Sequence, residues 1–114
     1  MGLADQKCVP CRGGVPPMDR ARANELLREL GESWRLNGEG HLEREYRVRN
    51  FREAMALANS VADVAEQEGH HPDLRIAWGT CAVEIWTHKI KGLTESDFYF
   101  AAKADRAFAT LGSG

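Results

Sequence analysis

Residues 50–69 read NFREAMALANSVADVAEQEG, and the rest of the chain is arranged around this run. Asn50 suits a helix N-cap, since its side-chain oxygen can accept from a first-turn N–H, and Gly69 stands where a left-handed closing residue is expected. No glycine or proline falls between them, and Phe51, Met55, Ala58, Val61, Ala62 and Ala65 form an apolar stripe at helical spacing. The run is therefore predicted to be a helix.

Toward the N-terminus, Leu42, Tyr46 and Val48 alternate with Glu43, Glu45, Arg47 and Arg49, the period-two pattern of a strand with one wet face. Arg44 interrupts the apolar set, so that face is expected to be only partly covered. Asn37-Gly38 is a turn signal, because both residues tolerate positive φ, and it pairs this strand with a short one over Trp34 to Leu36. Asp19 is expected to cap a helix running through Leu30, with Ala23, Leu26, Leu27 and Leu30 on one face and Gly31 ending it. Residues 1–18 contain Gly13, Gly14, Pro10, Pro16 and Pro17 without an apolar period, and read as an extended arm ahead of a single domain over 19–114.

Toward the C-terminus, Leu74, Ile76 and Trp78 alternate with Arg75 and Ala77, Gly79-Thr80 permits a turn, and Cys81, Val83 and Ile85 follow as a second hairpin. Glu84 and Trp86 point away from Val83 and Ile85. An aromatic is thus expected on the face that helices leave uncovered, where a subunit contact is plausible. Thr94-Glu95-Ser96-Asp97 resembles a capping box with Asp97 at its third helical position, and Phe98, Ala101, Ala102, Asp105 and Phe108 continue at helical spacing. The order α-β-β-α-β-β-α implies an α+β domain: a four-stranded antiparallel sheet with helices packed on one face.

Fifteen basic and seventeen acidic residues leave a formal charge of −2, which offers no field for nucleic acid or an anionic membrane. No apolar run approaches the roughly 20 residues that span a bilayer, so the cytoplasm is the default location. Three cysteines are an odd set for a disulfide framework and are expected to be reduced thiols. Cys8-x-x-Cys11 before Arg12-Gly13-Gly14 has the local look of a zinc knuckle. A structural zinc needs four ligands, however, and only Cys81 and His41 remain as spare donors. No metal is expected.

His70, His71 and His88 lie within nineteen residues of one another. Imidazole titrates near neutral pH and can give or accept a proton, so the cluster suggests acid/base work, although polar loop histidines at a helix end read the same way by composition. Helix-end carbonyls beside His70, and Glu66 one turn earlier, would both favour its imidazolium form. Pro72 forces His71 into an extended conformation, so the adjacent side chains should diverge, which counts against a shared metal.

The run Glu66-x3-His70-His71-Pro72-x5-Trp78-x9-His88-x8-Asp97 resembles the signature of the pterin-4a-carbinolamine dehydratases. The resemblance extends from about Leu30 to Leu111, through Trp34, Phe51 and the Gly92-Leu93-Thr94 turn. It implies that His70, His71 and His88 are the histidines of a pterin site, supported by Glu66, Trp78 and Asp97. It also implies loss of the 4a-hydroxyl of a tetrahydropterin to give quinonoid dihydropterin, which recycles the pterin of aromatic amino-acid hydroxylases, with no cofactor or metal and within a homodimer or homotetramer. His70 and His88 are the expected proton-transferring pair, with His71 holding the pterin. Asp97 is accounted for by helix capping alone. The same fold is also known as a dimerisation cofactor of a transcription factor, so the competing expectation is a non-enzymatic scaffold; a role near molybdopterin metabolism is a further one.

Overall fold

The structure is a computed structural model that describes residues 2–8 and 16–112. Its elements are α1 (Arg20–Leu30), β1 (Arg35–Leu36), β2 (Leu42–Arg47), α2 (Phe51–Glu68), β3 (Asp73–Ala77), β4 (Thr80–Ile85) and α3 (Glu95–Gly112). The chain is thus α+β in the expected order, and the four strands form one antiparallel sheet ordered β1-β2-β4-β3. The two hairpins join through β2 and β4, with Leu42 opposite Ile85, Arg44 opposite Val83 and Tyr46 opposite Cys81. These positions share one side of the pleat, and Leu42, Tyr46, Cys81, Val83 and Ile85 are fully buried there among residues of α2 and α3.

Helix ends follow their residues. The side chain of Asp19 accepts from Arg22 N–H, and that of Asn50 from Glu53 N–H, both at 2.8 Å. Gly69 closes α2 at φ 64°, a left-handed conformation that costs glycine nothing.

Three local expectations need correction. The buried face of α2 is Ala54, Leu57, Ala58, Val61 and Ala65, whereas Phe51 and Met55 are 49% and 42% exposed and Ala62 also faces outward. The helix carries enough apolar residues to offer two stripes, and packing selected the one that includes Leu57. At the first hairpin the chain turns at Asn37-Gly38 as expected, but neither residue takes the positive φ. Asn37 Oδ1 accepts from the N–H groups of Glu39 and His41, and among the loop residues only Gly40 takes positive φ, at 79°. Arg44, lastly, does not leave its face open: Asp105 of α3 accepts from Arg44 Nη1 at 2.7 Å, from the Tyr46 hydroxyl at 2.6 Å and from Trp34 Nε1 at 2.9 Å. The Arg44 guanidinium lies 4.2 Å from the centre of the Tyr46 ring. Burial, and then the charge of Asp105, push the Tyr46 phenol far above its usual range.

The N-terminal segment is not wholly extended either. Leu3–Asp5 form a turn of 3-10 helix, and Lys103 and Arg106 of α3 donate to Ala4 and Asp5. No helix among the described residues is long and apolar enough to cross a membrane.

Candidate active site

At Gly69 the chain leaves the helical path, and His70 N–H still reaches the Ala65 carbonyl at 3.2 Å. This turn swings the His70 ring toward α3. There it meets Phe100 edge-on, with centroids 6.1 Å apart, and its Nε2 lies 2.5 Å from Asp97 Oδ1. Asp97 is fully buried. Its second oxygen accepts from the Thr94 N–H at 2.8 Å and from the Thr87 hydroxyl at 2.9 Å. A buried carboxylate stays favourable only when its oxygens are satisfied, and three partners do that here. Asp97 therefore caps α3 and also holds His70.

His71 diverges, as the following proline requires, and its Nε2 lies 2.7 Å from Glu66 Oε2 on the surface. Glu66 thus pairs with His71 and not with His70. The helical i, i+4 relation ends at the left-handed Gly69, so His70 is carried to α3 while His71 returns to the side of Glu66.

His88 opens a 3-10 turn, His88–Ile90, which is closed by the Thr87–Gly92 bridge. Thr87, the residue before it, is the one bonded to Asp97. A Cβ on Gly92 would lie 2.6 Å from Pro17 Cβ, so residues 16–18 pack against this loop as closely as glycine allows. The His88 ring stacks on Trp86 at 4.4 Å, and Trp86 stacks on His41 at 4.0 Å.

The three imidazoles are gathered at one end of the sheet without converging on a point. Among the described residues, the only group of three His, Cys, Asp or Glu side chains with ligand atoms all within 4.8 Å is Glu39, His41 and Glu84. The Glu84 carboxylate in that group already accepts from His41 at 2.7 Å, from Asn37 at 2.8 Å and from Arg75 at 3.3 Å. Burial opposes its charge, but these hydrogen bonds outweigh burial and hold the carboxyl below its usual range. Trp78 stands apart: it is 73% exposed just beyond the end of β3 that lies away from His71. Within one chain it does not wall the histidine site.

Of the other candidate zinc donors, Cys81 is buried in the core, while Cys11 lies outside the described residues. Cys8 Sγ contacts the Ser96 carbonyl at 3.4 Å, and burial, reinforced by Glu68, pushes its thiol up to about 12. Sequence reasoning missed Thr87 and passed over His41 except as a metal donor. The signal for His41 lay in pairing: once Leu42 faces Ile85, antiparallel register sets residue 41 against 86.

The family described as Pterin 4 alpha carbinolamine dehydratase matches residues 16–107. A Rickettsia bellii protein provisionally named pterin-4-alpha-carbinolamine dehydratase is 55% identical over 103 residues, covering 90% of this chain and 91% of that protein. A Rubrobacter xylanophilus protein with the same provisional name is 51% identical over 104 residues, covering 91% and 96% respectively. The crystal structure titled transcriptional coactivator/pterin dehydratase from Brucella melitensis superposes with TM-score 0.74 at 28% identity, covering 80% of this chain and 97% of that one. The chain belongs to the pterin-4-alpha-carbinolamine dehydratase family.

Proposed function

We propose that the protein removes water from a 4a-hydroxytetrahydropterin to give quinonoid dihydropterin, by general acid/base catalysis at His70 and His88. Hydroxide is a poor leaving group, so an imidazolium delivers a proton to the 4a-oxygen as the C4a–O bond breaks. A neutral imidazole takes the N5 proton, and that electron pair forms the C4a=N5 bond. Water leaves, and solvent exchange resets the two rings. His71 and Glu66, together on the surface, are assigned to holding the pterin. Asp97 acts through His70 and is a positioning residue.

The observation that carries this reading is the Asp97 clamp. One buried carboxylate holds His70, just past the end of α2, and Thr87, the residue before His88. Helix capping requires the bond to Thr94 N–H; it does not require the other two. A non-enzymatic scaffold of the same fold has no need to orient an imidazole this way. The test is dehydration of a 4a-hydroxytetrahydropterin by the wild type and by His70→Ala and His88→Ala. Losses of about a hundredfold or more are expected for a true acid or base, and near-normal turnover in both variants would sink the assignment.

Assembly into a homodimer or homotetramer belongs to the same reading. The outward Phe51 and Met55 of α2 are the apolar surface offered for it, and size measurement of Met55→Glu beside the wild type tests it.

A further inference from the structure

His41, Trp86 and His88 form a column of three aromatic rings on the face of the sheet opposite the helices. The Trp86 plane lies within 5° of the His41 ring and within 10° of the His88 ring. The column is built by the fold. Trp86 and His88 are two residues apart and point the same way, and the β2–β4 register brings His41 across to Trp86. Its lower end is fixed, because His41 is buried and its Nδ1 bonds Glu84, which Asn37 and Arg75 also hold. Its upper end, His88, is exposed and sits on a loop whose backbone is pinned at Thr87, Gly92 and Pro17. Those contacts fix where the His88 backbone goes but leave its ring free to rotate, and the flat face of Trp86 is the surface against which the ring is set.

We propose that Trp86 is a positioning residue for the reaction: clamped between His41 and His88, it sets the orientation of the His88 imidazole, with Glu84 and His41 as its anchor. The inference rests on the reading of His88 as an acid/base group. It accounts for an indole that is only partly buried at the margin of the core and stacked against two imidazoles. Correct aim of a proton-transferring ring matters in the transition state more than in substrate binding, so the expected signature is a change in kcat with little change in KM.

The test compares Trp86→Leu, Trp86→Phe and His41→Ala with the wild type, using proton NMR of the His88 ring and steady-state dehydration. In the wild type the His88 ring protons should lie upfield, shielded by the indole current, and cross-relax with Trp86. Trp86→Leu should move them to the unstacked position and lower kcat roughly 10-fold to 100-fold, with KM held within about threefold. Trp86→Phe should recover most of both, and His41→Ala should fall between. Unshielded His88 protons in the wild type would overturn the proposal without reference to activity. So would full kcat in Trp86→Leu while His88→Ala is impaired. If His88→Ala itself turns over normally, the acid/base reading of His88 fails, and with it a catalytic role for Trp86, whereas the NMR shielding still decides whether the stack exists.

Discussion

His70 and His71 are neighbours in the chain, and each brings its Nε2 to a carboxylate, at 2.5 Å to Asp97 and at 2.7 Å to Glu66. By distance the two pairs are alike. Their surroundings are not. Asp97 is fully buried and answers to Thr87 and Thr94 as well as His70, while the side chains of His71 and Glu66 are 59% and 78% exposed. Water competes for every bond of the second pair and screens its charges, so its contribution to stability is small. In the first pair, a lost partner leaves a buried polar group unsatisfied. The same kind of imidazole–carboxylate pair thus makes a clamp at one histidine and a loose surface contact at the next, and burial is the difference.

Substitutions on either side of that contrast should separate the two pairs. The largest expected effect on turnover is the loss of about a hundredfold or more in His70→Ala. His71→Ala, if that ring only holds the pterin, should act mainly through KM, and kinetics of the two variants side by side would show the split. On stability the largest effect should come from Asp97→Ala, which strips an acceptor from His70, Thr87 and Thr94 at once. Urea denaturation should show a loss of about 3 kcal/mol, against a smaller one for Asp97→Asn, which retains an acceptor.

Glu84 provides an intermediate case. Its carboxyl is held below the usual value of about 4.5 in the folded chain, so its contribution to stability is fully present above that value and is lost as pH falls through the folded value. Denaturation measured from pH 7 down to pH 3 should therefore fall less steeply for Glu84→Gln than for the wild type. A parallel pair of curves would contradict this. Smallest of all should be Glu66→Gln, with stability within about 0.5 kcal/mol of the wild type and no steeper salt dependence. A larger loss there would mean that the surface pair holds the fold as firmly as the buried one.

Much of the site's chemistry was legible in local signals. Asn50 and Gly69 marked both ends of α2, Thr94 and Asp97 marked the start of α3, and Pro72 required the adjacent histidines to diverge. What was not legible came from packing or from long-range register. Phe51, Met55 and Ala62 share helical spacing with the buried stripe, so periodicity could not choose between two faces of α2. The resemblance placed Asp97 at the site, but its bond to His70 was not legible, because capping already explained the residue. Helical spacing pointed Glu66 at His70 when its partner is His71, since i, i+4 logic fails across a left-handed glycine.

Capping, alternation and turn chemistry act over a few residues, and for that reason the amino-acid order alone was enough to set the succession of elements, the helix limits and the presence of three histidines near one end of the second hairpin. Three-dimensional packing was needed to establish that β2 pairs with β4, that Asp97 reaches both His70 and Thr87, and that His41 lies beneath Trp86. Those contacts join residues from 10 to 45 positions apart, and they arise where buried surface and strand register bring distant segments together, which no local pattern encodes.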